Sequence, residues 1–398
     1  MDETKFLWGA SSAAYQVEGG ITNNWSKWEE EVAEKQSQKS GGKYPPENFI
    51  CGKSVDHYNR FKEDIDLLVS LGMNSYRFSI EWARIEPTCG NWNNQEIYHY
   101  RTVIDYLVEK KIKPVICLLH FTLPIWFEEL GGWTKKENIV YFFKFASKMI
   151  NTYSDVKMWL TMNEPVVYSI VSYFLGEWPP CKKNPIGFKR VIKNLAKAHK
   201  KIYKNEKCPE LSIGFAKNMM NFRKIGYMLG FTQYTWNEMW FEYVDNNFDF
   251  VGINYYMSID VSWSMVRKAT TNMFEDRDKA DDNISDMGWE IYPEGIYQMI
   301  KSVSKYNKPI YITENGIADE GDTKRGRFID EHIDQVLRAK NEGIDVRGYF
   351  YWALTDNFEW NHGKWPRFGL IEVNYDTLER KVRNSAKIYS NKIKQNSF

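Results

Sequence analysis

Eight short apolar runs, separated by stretches with the 3.6-residue spacing of amphipathic helices, constrain this chain more than any other feature of its sequence. They fall at Phe6–Ala10, Asn74–Phe78, Val115–Leu119, Met158–Met162, Ser212–Ala216, Phe250–Asn254, Pro309–Thr313 and Val346–Tyr351. Such alternation builds a parallel sheet, because parallel strands need a helix-length crossover to return to the same side. After Asp56, for example, Phe61, Ile65 and Leu68 recur at helical spacing, and Gly72 supplies the stop before the next run. Val103, Ile104, Leu107 and Val108 form a second apolar stripe, followed by Val115–Leu119, apolar on both faces as a doubly covered strand must be. Eight parallel strands close readily into a barrel. The expected fold class is therefore α/β, a single (β/α)8 TIM barrel with its active site at the C-terminal ends of the strands.

Residues 1–398 are read as one such domain, since no stretch is rich enough in Pro, Gly or Ser to act as a linker. Apolar residues at 43% and charged residues at 26% provide for a large core. The net charge of +1, with no basic block along one segment, offers no field for a polyanion, so nucleic acid is not an expected partner. Cys51, Cys89, Cys117, Cys181 and Cys208 are odd in number and lack CxxC or nearby His spacing. Reduced thiols, no metal site and no cofactor are expected. Met1–Trp8 carries two acids and no apolar core of a signal peptide, which points to the cytoplasm. Val166–Leu175, broken by Ser169 and Ser172, is too short to cross a bilayer, so no membrane partner is expected. The polar segment Glu275–Asp286 reads as an exposed loop. Assembly into a homo-oligomer is compatible with all of this.

Two carboxylates stand out because each follows a strand-like run: Glu164 in WLTMNEP and Glu314 in YITENG. Pro165 and Gly316 break the strands directly afterwards, so each acid sits at a strand-to-loop corner on the expected catalytic rim. One such Glu alone would as often be a rim salt bridge. Two in matched corners suit glycoside chemistry, in which one protonated carboxyl donates to the leaving oxygen and one carboxylate acts on the anomeric carbon. A gap of about 5 to 5.5 Å implies retention, and about 6.5 to 9.5 Å an inverting water. Asn163, Asn315, Gln16, Arg77, His120, Asn254, Tyr256, Glu359 and several Trp lie at the same strand ends. So dense a set of polar groups suits a polyhydroxylated small molecule.

These segments carry a resemblance. FLWGASSAAYQVEGG, YRFSIEWARIEP, LLHFTLPIW, WLTMNEP, FVGINYY, YITENG and YWALTDNFEW, spread nearly end to end, are similar to glycoside hydrolase family 1, the β-glucosidase and β-galactosidase family. The resemblance implies a retaining O-glycosyl hydrolase acting on terminal β-D-glucosyl, β-D-galactosyl or β-D-fucosyl groups. It makes Glu164 the acid/base and Glu314 the nucleophile, with Arg77 and Tyr256 touching the nucleophile. Asn163 matches the family's 2-hydroxyl contact and Asn254 a support beside it. Gln16, His120, Glu359, Trp360 and Trp352 match the glycone-binding set. Where the family has H-W-D-L-P this chain has His120-Phe121-Thr122-Leu123-Pro124, losing an indole donor, so a looser glycone grip is expected. Asn218–Asn247 lacks the family's usual pattern, and a trimmed fifth crossover is expected to uncover barrel surface. A 6-phospho-β-glycosidase, a transglycosidase and a catalytically silent sugar-binding barrel remain as alternatives. Glu359 argues against a sugar phosphate by charge, and Glu164 argues against a thioglucosidase, whose relatives carry Gln there.

Overall fold

The computed structural model describes residues 5–223, 228–260 and 281–396. Eight strands form one closed, all-parallel barrel: β1 (Leu7–Ser11), β2 (Ser75–Ser79), β3 (Lys113–Cys117), β4 (Met158–Asn163), β5 (Ser212–Asn218), β6 (Phe250–Asn254), β7 (Ile310–Asn315) and β8 (Val346–Trp352). Each strand pairs with its neighbours in sequence, and β1 closes the ring against both β2 and β8. The apolar runs thus locate every strand to within two residues. The largest slip is at β3, which begins at Lys113-Pro114, a charged residue and an imino acid that apolar patterning does not recognise. His120 consequently lies three residues beyond its strand.

Two layers of packing follow from the pleat. Leu7, Val115, Cys117, Met158, Leu160, Ala216, Phe250 and Phe350 come from six of the strands and form one buried cluster, which is the barrel interior. The intervening residues, such as Ile116 and Trp159, pack under the helices. Helix His57–Ser70 buries Phe61, Ile65 and Leu68 and ends before Gly72, whose φ of 81° is the left-handed stop. Helix Asn94–Glu109, capped by the Asn93 side chain, buries Val103, Ile104 and Leu107. Val108 does not join that stripe. It is 46% exposed, because the helix contacts the barrel through a face too narrow to reach it.

Three further expectations change. Helix Pro185–Glu206 carries seven Lys or Arg against one acid, so a basic block does exist. The whole-chain balance concealed it by averaging over faces: Val191, Ile192, Leu195 and Ile202 turn inward, while Lys189, Arg190, Lys193 and Lys197 are exposed. The fifth crossover is short but covers its strand. Within it, Met228–Gln233, the wider helical turn Tyr234–Glu238 and Met239–Val244 follow one another, and Trp240 and Phe241 each lie 5.6 Å from the Phe215 ring of β5. No uncovered barrel surface results among the described residues. In the polar loop, residues 275–280 fall outside the described residues; residues 281–283 are exposed but Ile284 and Ser285 are buried. The five cysteines are unpaired. Among the described residues no helix is long and apolar enough to cross a membrane.

Candidate active site

Glu164 is the first residue past β4, and its backbone is left-handed at φ 43° and ψ 55°. For a residue with a Cβ this costs roughly 1–2 kcal/mol. Its N–H donates to the Ala216 carbonyl of β5 at 2.8 Å, and Pro165 starts a short helix where a missing N–H costs nothing. Glu314 lies inside β7 rather than after it, because the β7 ladder runs on to Asn315. Just beyond, a Cβ at Gly316 would stand 1.7 Å from the Trp352 carbonyl oxygen, so only glycine lets β7 and β8 approach this closely at the rim.

A single network joins the two acids. Arg77, third residue of β2 and fully buried, donates from Nη1 to Glu314 Oε1 at 2.5 Å and from Nη2 to Asn163 Oδ1 at 2.6 Å. Tyr256, just past β6, donates its hydroxyl to Glu314 Oε2 at 2.6 Å. Asn254 Nδ2 donates to Glu164 Oε1 at 2.7 Å and to Asn163 Oδ1 at 3.0 Å, while Thr313 Oγ1 donates to its Oδ1 at 2.7 Å and fixes the amide's orientation. Asn218, last residue of β5, gives Glu164 Oε1 a second donor at 3.2 Å and is itself oriented by the Trp236 indole at 3.0 Å.

The electrostatics separate the two carboxyls. Burial, then the charge of Glu314, pushes Glu164 up to about 7, against the donors Asn254 and Asn218. Burial raises Glu314 as well, but Arg77, Tyr256 and Asn254 all oppose the rise. Glu314 thus has a guanidinium and a phenol bonded to it that favour its ionised form, whereas Glu164 has only amide donors. Glu359 is pushed up to about 8 by burial and by Glu314.

The other wall is aromatic and amide. The His120 ring lies near-parallel to those of Trp352 and Trp360, with centroids 5.8 and 6.0 Å away, and Trp360 stacks on Tyr15 at 6.2 Å. Asn163 Oδ1 already accepts two bonds, so its amide nitrogen donates to His120 Nε2 at 3.1 Å. The imidazole, held neutral by burial and by Arg77, therefore carries its proton on Nδ1. That nitrogen is buried without a hydrogen-bond partner. Gln16 donates through Nε2 to Phe358 O, Asn357 Oδ1 and Glu359 Oε2, leaving its Oε1 buried and unmatched. One spare donor and one spare acceptor suit hydroxyl groups, which do both.

Eleven of the twelve residues singled out in the sequence fall in these two connected walls. Asn315 does not join the carboxylates: it ties Tyr255 O to the Tyr349 hydroxyl. Phe121 offers no donor but fills its slot, 5.0 Å from Trp178 and 5.1 Å from Trp360, so the lost indole leaves a packed wall. Thr122 donates instead to the buried Glu81 at 2.8 Å. Asn218, Thr313 and Trp236 were not anticipated. The strand-end rule applied to SIGFAKN would have found Asn218; Trp236 lies in a segment with no readable pattern.

The sequence profile described as glycosyl hydrolase family 1 matches residues 3–221 and 215–398. Beta-glucosidase A of Thermotoga maritima is 34% identical, with 99% of this chain and 98% of the relative covered. A beta-galactosidase of Pyrococcus woesei is 28% identical over 96% and 94% of the two chains. Among solved structures, a beta-glycosidase from Pyrococcus horikoshii superimposes with a TM-score of 0.86 at 33% identity, covering 100% of this chain and 95% of the other. The beta-glucosidase from Thermotoga maritima in complex with deoxynojirimycin gives 0.84 at 32% identity, covering 100% and 99%.

Proposed function

The chain belongs to glycosyl hydrolase family 1, and from that premise we propose that it releases terminal non-reducing β-D-glucosyl residues, with β-D-galactosyl and β-D-fucosyl as further substrates, and retains the anomeric configuration. The observation that carries this reading is the asymmetry of its two buried glutamates: one is paired with Arg77 and Tyr256, the other is left at about 7. Glu314 attacks the anomeric carbon while Glu164 protonates the departing oxygen, so the glycosidic C–O bond breaks as the ester bond to Glu314 forms. Esterification removes the Glu314 charge that held the proton on Glu164, which then takes a proton from water as the water attacks the same carbon, breaking the ester bond and freeing Glu314 as a carboxylate. A sugar hydroxyl in place of water gives transglycosylation by the same step.

Two carboxylates suffice for this chemistry without a cofactor. Glucoside preference is supported by relatives named as beta-glucosidases at 34% and 31% identity. Glu359, beside Gln16 on the sugar-binding wall and pushed up to about 8, offers hydrogen bonds to free hydroxyls and no cation to a sugar phosphate. Residues 1–398 are read as one domain, and the five unpaired cysteines support a reducing, cytoplasmic setting. The test is proton NMR during hydrolysis of an aryl β-glucoside: β-glucose appears first and mutarotates later. First appearance of the α anomer overturns retention, and a preference for the 6-phosphoglucoside overturns the neutral sugar. Glu314→Ala loses turnover, and azide restores it with an α-glycosyl azide as product.

A further inference from the structure

Lys217 is a buried charged group at a strand end that the mechanism above does not use. It is the sixth residue of β5 and is fully buried. Its two neighbours both serve the acid/base: Ala216 accepts the Glu164 N–H through its carbonyl, and Asn218 donates its side-chain amide to Glu164 Oε1. Among the described residues Lys217 Nζ donates to a single group, the Asn218 carbonyl at 2.5 Å, and no carboxylate lies within salt-bridge distance of it. A lysine so placed is costly, because a buried ammonium normally demands a carboxylate or several acceptors.

The charges around it are few. The charges that act on Lys217 are those of Glu164, just past β4, and Glu238 in the fifth crossover, and Glu238 is already engaged by Lys305 at 2.6 Å and Tyr306 at 3.3 Å. The titratable groups whose charges couple to Glu164 are Glu314 on β7, Tyr256 past β6, Glu359 past β8 and Lys217 on β5. Of these, Lys217 alone is cationic. Arg77, the other buried cation of the site, is spent on Glu314 and Asn163.

We propose that Lys217 is a positioning residue for the acid/base: its buried ammonium clamps the end of β5 that presents Asn218 and sets how readily Glu164 releases its proton. The inference rests on the reading of Glu164 given above. Burial pushes Lys217 down to about 7, while Glu164 and Glu238 pull it back up, so in the neutral range the lysine and Glu164 titrate as a pair. The sign follows directly. A positive neighbour favours the Glu164 carboxylate, so loss of that charge keeps Glu164 protonated to higher pH.

The experiment compares Lys217→Met, which conserves volume, Lys217→Gln, which keeps a donor without charge, and Lys217→Arg, which keeps the charge. The alkaline limb of kcat/KM against pH is measured with an aryl β-glucoside that has a poor leaving group. Both neutral variants are expected to move that limb up by about half to one pH unit, a three- to tenfold gain relative to wild type on the falling side. Lys217→Arg keeps the wild-type limb or lowers it. A limb unmoved in either folded neutral variant overturns the proposal, whatever happens to kcat or thermal stability. Glu164→Ala with an activated aryl glucoside provides the control. If the alkaline limb disappears there and ignores Lys217, only the Lys217 role is lost; if it persists there, the acid/base reading falls too.

Discussion

Tyr256→Phe removes one hydrogen bond from the nucleophile and little else. The phenol oxygen lies 2.6 Å from Glu314 Oε2, while the ring is held by Trp289 at 5.6 Å and Phe368 at 6.3 Å, contacts that Phe keeps. A hydrogen bond to a charged group is worth about 1.5–3 kcal/mol, and this one favours the ionised form of Glu314 over the protonated one. At 1.36 kcal/mol per pH unit, its loss raises the Glu314 carboxyl by about 1 to 2 units. Arg77 still holds Oε1 and favours the carboxylate, so the nucleophile keeps a partner but protonates sooner on acidification than in the wild type. The assay is kcat/KM for an aryl β-glucoside across the acid range, with circular dichroism to verify the fold. The acid limb is expected to move up by about 1 to 2 units, giving a loss of about ten- to a hundredfold at the foot of the profile and a smaller one on the plateau. An acid limb in its wild-type place, together with a uniformly lower plateau, would show that Tyr256 orients the site without holding Glu314 ionised, and the electrostatic reasoning would fail.

Two other perturbations probe separate parts of the structure. Glu164→Ala is expected to lower kcat/KM by about 10²- to 10⁴-fold for poor leaving groups yet leave a fast burst with dinitrophenyl glucosides, whose departure needs no proton; stopped-flow traces with equal losses on both classes would refute the acid/base role. Glu29, buried between the Tyr15 hydroxyl at 2.8 Å and the Cys51 N–H at 2.9 Å, is pushed by burial up to about 8, above the usual 4.5 of a free carboxyl. The folded state therefore binds an extra proton between those two values, and stability falls as pH rises from 4.5 through about 8. Glu29→Gln should flatten that fall, so its Tm relative to wild type should be higher at pH 9 than at pH 5.5; an unchanged difference would show that Glu29 is ionised in the fold.

The barrel was legible because strands buried on both faces must be nearly continuous apolar runs, and both acids were legible because Pro165 and Gly316 mark where such runs stop. What escaped were properties that emerge only when the ring closes. Nothing in the spacing of Tyr15, His120, Trp352 and Trp360 says that they stack, since β1, β3 and β8 bring them together. Val108 matched the helical period but not the width of the buried face. Lys217 interrupts a run otherwise apolar, and a charge there looks like the end of a strand until the structure shows it buried one place before the end. The basic outer face of Pro185–Glu206 was hidden for the opposite reason, because a total over 398 residues cancels what a single helix face concentrates.

The ring stack has a consequence for selectivity. An imidazole lying near-parallel to two indoles and bonded to the Asn163 amide has little freedom to swing toward a differently shaped guest, and its Nδ1 proton is directed before anything arrives. Such a wall spends no rotational entropy on capture, which sharpens recognition of a sugar whose hydroxyls already match it. The same stiffness means that an epimer or a bulkier ring is met by mismatch rather than accommodation. Discrimination among monosaccharides here should come from what the pocket refuses to become.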